Sequence, residues 1–200
     1  MSDRYATFDA LRSAHEEGRD FRVEWRLGVS GIAVMAPHGG GIEPGTSEVA
    51  RALAGLRHSF YHFEGLMRNG NGALHLTSTR FDEPRALALA ERAEWIVTVH
   101  GCDGDPPVIH LGGLHEARKR ELARKLEVHG FATASHLDHR GLDPENLCNR
   151  GKNGSGVQLE LTLGLRRALF PALTRTGRLN TTPLFHRLID AFRTILTRSP

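Results

Sequence analysis

Four residues carry the chemistry this sequence is equipped for: His38, Glu43, His100 and Glu160. His38 and Glu43 share one Gly-rich stretch, HGGGIE, directly after the apolar run Ile32-Ala33-Val34-Met35. His100 closes a second apolar run, WIVTVHG, and Glu160 lies within a third, VQLELTL. In that third run the period of a strand places Gln158 and Glu160 on one face. A carboxylate inside an apolar strand costs roughly several kcal/mol unless it is paired or protonated. Two histidines and one carboxylate are the usual protein donors of a catalytic zinc ion, which keeps its fourth position for water. Such an ion acidifies water and polarises a carbonyl, and a glutamate that is not a ligand then moves the proton. This reading takes His38, Glu43 and His100 as metal ligands and Glu160 as general base and then acid. Glycines 39–41 would let the backbone curl so that Glu43 returns to the ion. A plainer reading makes the glycines a turn, His100 a strand end and Glu160 a salt-bridged carboxylate. Spacing alone leaves both open, because no HExxH-type signature is present.

The remaining polar residues are secondary candidates. His58, His62 and His75 lie beside expected strands or helix ends and read as packing residues. His110, His115, His136 and His139 flank loops, where one could support a ligand, while His15, His129 and His186 read as helix surface. Cys102, two residues after His100, raises a Cys/His nucleophile, but no nucleophile turn accompanies it and a buried thiol is the simpler reading. Arg80, in HLTSTRFDEP, and Asn149-Arg150, in NLCNRGKNGSG, stand in loops near strand ends. A planar guanidinium binds carboxylates in bidentate fashion, so Arg150, Arg80 and Asn149 are the candidate substrate contacts. Arg118, Arg120 and Arg124 read as a solvated helix face.

These residues need elements to position them. The 200-residue chain suits one domain with a sizeable core, and 40% apolar and 24% charged residues are ordinary for a globular protein. FRVEWRLGV alternates with the period of a half-buried strand, while GIAVMAP and WIVTVHG are apolar enough to be central strands. FYHFEG, ALHLTS, FATAS and VQLELTL read as further strands. Helices are expected over 6–17 with Thr7 as cap, over SEVARALAGLRH with Thr46 or Ser47 as cap, and over EPRALALAERA. HEARKRELARKLEVHG and LFHRLIDAFRTIL complete the set, the latter with one apolar face of Leu184, Phe185, Leu188, Ile189, Phe192, Ile195 and Leu196. Strands alternating with helices indicate a single-domain α/β sandwich around a mixed, mostly parallel sheet. In such sheets ligands bind beyond the carboxyl ends of the strands, where His38, Glu43 and His100 fall.

Composition narrows the partners. Twenty-six basic residues against 23 acidic leave a net charge of only +3, a weak argument for nucleic acid. The helix HEARKRELARK is the one candidate basic face, and Glu116 and Glu121 interrupt it. No run of about 18 apolar residues exists to span a membrane. The N-terminus has no signal-peptide pattern, and two cysteines make no disulfide framework, so a reducing cytoplasm is the expected location.

Taken in order, HGGGIEPGTSEVA, HLTSTRFDEP, VTVHGC, LGGLHE and NLCNRGKNGSGVQLELT, with the following LR, form a connected series from Ala36 to Arg166. Over that span the chain resembles the poly-γ-glutamate hydrolase family, whose members are also labelled phage-related replication proteins. The resemblance implies a zinc peptidase with a metallocarboxypeptidase-like fold over residues 1–200 and one Zn²⁺ per chain. It implies hydrolysis of γ-amide bonds in a polyanionic glutamate polymer or acidic peptide, with release by cell lysis if the chain is phage-derived. Carried over by position, the family's ligands fall on His38, Glu43 and His100, and its glutamate base on Glu160. Two alternatives stand beside this: an amidohydrolase of the same fold acting on short peptides or amino-acid conjugates, and a non-catalytic phage or nucleic-acid-binding module.

Overall fold

The apolar run that leads to His38 forms a nine-residue strand, Ile32–Gly40, buried along its whole length. Its side chains alternate between two cores: Ile32, Val34 and Ala36 face one, Ala33 and Met35 the other. In the computed structural model, which describes residues 3–135, 138 and 140–196, this strand lies inside a seven-stranded sheet. The strands are β1 (Phe21–Arg26), β2 (Ile32–Gly40), β3 (Ser59–Gly65), β4 (Trp95–Cys102), β5 (Val108–Gly112), β6 (Ala132–Ala134) and β7 (Val157–Thr162). Their order is β1-β3-β2-β4-β7-β5-β6. The β3-β2, β2-β4, β4-β7 and β5-β6 pairs are parallel, whereas β1-β3 and β5-β7 are antiparallel. The sheet is therefore mixed and mostly parallel.

Helices cover both faces. Helices α2 (Thr46–Ala54), α4 (Glu116–Val128), α5 (Leu163–Leu169) and α6 (Pro183–Leu196) bury Val49, Leu53, Leu122, Leu126, Leu165 and the apolar stripe Phe185 to Leu196 against one face. Helices α1 (Phe8–Ala14) and α3 (Pro84–Ala90) cover the other with Phe8, Leu11, Ala86 and Leu89. The result is a single-domain mixed α/β sandwich. Thr7 caps α1 as expected, accepting from the Ala10 N–H at 3.2 Å. No helix among the described residues is long and apolar enough to cross a membrane.

Two local expectations are corrected, and two elements were not expected. ALHLTS is not a strand: Asn71–Leu74 forms a 3₁₀ turn and an irregular segment follows. Its alternation arises because Leu74 and Leu76 plug the second core from above the sheet. The cap of α2 is Gly45 rather than Thr46 or Ser47. Both hydroxyls are spent on the preceding loop, Thr46 Oγ1 donating to the Glu43 carbonyl at 2.9 Å and Ser47 Oγ accepting from the Gly40 N–H at 3.3 Å. Strand β5 and helix α5 were not anticipated.

Candidate metal centre and active site

Strands β2, β4 and β7 run parallel, so their carboxyl ends open on the same edge of the sheet. The β2 register shifts between Ala36 and Gly39, and the chain then folds back on itself. The Glu43 N–H donates to the His38 carbonyl at 2.8 Å and the Ile42 N–H to the Gly39 carbonyl at 3.2 Å. This ring is what carries Glu43 back beside His38. Gly39 makes it possible, because a Cβ there would stand 1.9 Å from Ser47 Oγ, and Gly40 turns with φ +63°.

Three donors converge in this ring. His38 Nδ1 lies 3.1 Å from Glu43 Oε1 and 3.1 Å from His100 Nδ1, while His100 Nδ1 lies 3.7 Å from Glu43 Oε2. His38 and His100 are buried, and only 11% of the Glu43 side chain is exposed. Burial works to raise the Glu43 pKa, but His38, then His100 and the Gly101 N–H, bring it down to about 2. Burial opposes a charge on His38, yet Glu43 beside it leaves the His38 pKa above its ordinary value.

The second nitrogen of His38 sets its tautomer. His38 Nε2 lies 2.8 Å from the Leu76 carbonyl, which can only accept, so Nε2 carries the proton. In the neutral ring Nδ1 then presents a lone pair to a carboxylate and a second imidazole. Such a convergence of acceptors is satisfied by a proton or a cation between them. His38 Nδ1 lies 3.1 Å from both Glu43 Oε1 and His100 Nδ1, close to the edge of about 3.3 Å expected between ligands about 2.0 Å from a tetrahedral zinc. The 3.7 Å contact of His100 is to the other carboxylate oxygen, Oε2. The donor set therefore fits a divalent cation.

A fourth donor stands nearby. His75, in the irregular segment, stacks on His38 with ring centroids 4.1 Å apart. Its Nδ1 lies 2.7 Å from Asp3 Oδ1, so Nε2 is its remaining nitrogen. His38, Glu43 and His75 form a group whose donor atoms all lie within 4.8 Å of one another. His75 reads as a packing residue in the sequence; its stacking partner is His38, and only the fold joins them.

Glu160 faces His100 directly across the β4-β7 ladder and His110 across β5-β7. It is 5% exposed and accepts from Gln158 Nε2 at 2.9 Å. Burial, and then the charge of Glu43, push its pKa well above the usual carboxylate range. A cavity of about 790 Å³ opens over these groups, lined by His38, Glu43, His75, His100, Gln158 and Glu160 on its floor. Thr77, Ser78, Thr79 and the segment Arg140–Asp143 contribute to its walls. His115 precedes α4, and His136 and His139 lie outside the described residues.

The three expected substrate contacts sit elsewhere. Arg150 donates to the carbonyls of Glu145, Phe81 and Thr79 at 2.7, 3.1 and 2.9 Å. Asn149 is buried and spends its amide on four backbone groups, accepting from Leu114 and Gly156 and donating to the carbonyls of Gly141 and Asp143. Arg80 donates to Asp3 at 2.7 Å. None of the three is among the residues lining the cavity, whose wall carries Arg140 instead. Cys102 and Cys148 are buried free thiols, with burial raising their pKa values to about 11 and about 12. Neither is set up as a nucleophile. On α4, Arg118 pairs with Glu121 at 3.0 Å and Lys119 with Glu116 at 2.6 Å, which leaves that face of mixed charge.

The family model described as poly-gamma-glutamate hydrolase matches residues 5–191. The UPF0714 protein YndL of Bacillus subtilis (strain 168) is 40% identical over 179 residues, 88% of this chain and 70% of YndL. A solved structure of a bacteriophage poly-gamma-glutamate hydrolase superposes with TM-score 0.93 at 33% identity, covering 97% of this chain and 96% of that one. A zinc-free structure of YndL also gives TM-score 0.93, at 35% identity over 98% of each chain. The chain belongs to the poly-γ-glutamate hydrolase family.

Proposed function

We propose that this protein is a zinc-dependent amide hydrolase that cleaves γ-glutamyl bonds of poly-γ-glutamate. The observation that carries the proposal is the convergence of His38, Glu43 and His100 beside a buried, protonatable Glu160 on the floor of one cavity. His38, Glu43 and His100 would hold one ion per chain. When bound, zinc supplies a Lewis acid and lowers the pKa of water to roughly 7.

The remaining chemistry belongs to the chain. The Glu160 carboxylate accepts a proton from the attacking water and returns it to the departing amide nitrogen. Burial and then the Glu43 charge raise its pKa, which favours the protonated form that gives its proton to the departing nitrogen. Gln158 fixes one Glu160 oxygen by its 2.9 Å bond. The Leu76 carbonyl holds the His38 ring, the kind of support that orients metal ligands. Arg140, on the cavity wall, supplies the positive charge for a glutamate carboxylate. Arg150 and Asn149 act one layer back, holding the loops that form that wall, and Arg80 acts through Asp3 on the segment carrying His75.

The same donor set at the carboxyl ends of parallel strands supports a metallocarboxypeptidase-like reading of the fold. Two buried free thiols suit a reducing cytoplasm, with release by cell lysis if the chain is phage-derived. The test is incubation of the purified protein with poly-γ-glutamate, following polymer size. Shortening that stops with a chelator and returns with Zn²⁺ supports the proposal. An intact polymer alongside cleavage of short γ-glutamyl peptides would move the assignment to a small-substrate amidohydrolase.

A further inference from the structure

Arg166, on α5, is 5% exposed, and its guanidinium is spent on backbone carbonyls. Nε donates to Leu161 at 3.1 Å, Nη1 to Pro44 at 3.0 Å and Nη2 to Cys102 at 3.0 Å. Among the described residues no carboxylate lies within ion-pair distance of it. The three carbonyls belong to three segments of the proposed site. Pro44 follows Glu43, Cys102 lies two residues beyond His100, and Leu161 follows Glu160. Gly101 leaves the room for this contact, since a Cβ there would stand 2.7 Å from Arg166 Cζ.

A buried guanidinium held by carbonyls rather than by a paired carboxylate is costly to desolvate. Joining three segments from one point needs a rigid, planar set of donors, which arginine has and lysine or glutamine does not. The acidic groups Glu43, Asp103 and Glu160 act favourably on this charge, opposing the cost of its burial.

We propose that Arg166 is the positioning residue of the metal centre: by gathering the Pro44, Cys102 and Leu161 carbonyls onto one guanidinium, it fixes Glu43, His100 and Glu160 relative to one another. The inference rests on the metal-site reading above. It makes α5, a short helix with no residue on the cavity, part of the metal site's construction.

The test is zinc affinity of the metal-free protein, measured by competition with a chromophoric chelator. Wild type, R166K, R166M and a remote core variant, L188A on α6, are compared, each with its thermal midpoint. R166K keeps the charge but loses the planar fork, and its zinc affinity is expected to fall about 10- to 100-fold, as for groups that orient ligands. R166M should fall at least as far; if it does not fold, R166K carries the test. L188A should lower the thermal midpoint and bind zinc as wild type does. Zinc affinity in R166K within about two-fold of wild type would overturn the proposal. So would an equal loss in L188A, which would reduce the effect to general loosening. A wild-type protein that binds no zinc would instead remove the metal reading, and the inference with it.

Discussion

Gln158 donates its amide to the Glu160 carboxylate at 2.9 Å, and Asn146 donates to Gln158 Oε1 at 3.0 Å. The proposed base thus ends a chain of neutral amides. They orient it without supplying a charge that would hold it ionised. Glu160→Gln keeps the shape and removes the proton carrier. Turnover on poly-γ-glutamate should fall about 10²- to 10⁴-fold, while zinc content stays near about one per chain, as expected of a three-ligand site that Glu160 does not join. Wild-type turnover in this variant would take Glu160 out of the mechanism.

His38 is the donor shared by both short contacts in the cluster. His38→Ala should purify with zinc reduced from about one per chain to a small fraction of that, because a His₂-carboxylate set without one histidine lacks a ligand. Elemental analysis of the two proteins side by side decides it. Equal zinc in both would place the ion elsewhere.

Arg140 is predicted to act in binding rather than in bond breaking. Arg140→Gln should raise KM for polyglutamate by about ten-fold with kcat little changed, the pattern of an interaction equal in ground and transition states. Steady-state kinetics separates the two parameters. A fall in kcat at constant KM would count against a binding role.

His62 lies away from the cavity, on β3, where it contacts Ser47 at 2.9 Å. Burial, then Arg51, lowers its pKa to about 4, with Glu24 opposing. The folded pKa lies below the unfolded value of about 6.5, so acid favours the unfolded chain. This contribution is fully present above pH 6.5 and is lost as pH falls toward about 4, on the order of 3 kcal/mol in all. Urea unfolding of wild type and His62→Gln at several pH values should show a flatter profile for the variant across that window. Parallel profiles would mean that His62 titrates normally in the folded protein.

Periodicity in the sequence was enough for the sheet's central strands and for α6, because each buries a continuous apolar face. It failed where local pattern and tertiary role diverge. Val108–Gly112 has five residues bounded by prolines and glycines, too short for a period to appear. Leu163–Leu169 continues the apolar run of β7 with no loop between them, and Thr162 both ends the strand and caps the helix. At the site, His38, His100 and Glu160 stand out in the sequence because each lies at or within an apolar run, and Glu43 because three glycines lie between it and His38. Loop arginines were less so, since an exposed charge and one consumed by carbonyls look alike in one dimension. His75 and Asp3 meet across 72 positions, and no local pattern announces such a pair.

The ring that returns Glu43 to His38 is built at van der Waals limits: Gly39 against Ser47, Gly40 against the Gly65 carbonyl, Gly41 against Asn71. What looks like slack in the sequence is a wedge with nothing to spare, so this floor has almost no room for substitution. Divergence in what such an enzyme accepts is then easier to write into the cavity wall at Arg140 and Leu142, which are exposed, than at Gly141 between them, where a Cβ would stand 2.9 Å from Gln158 Oε1.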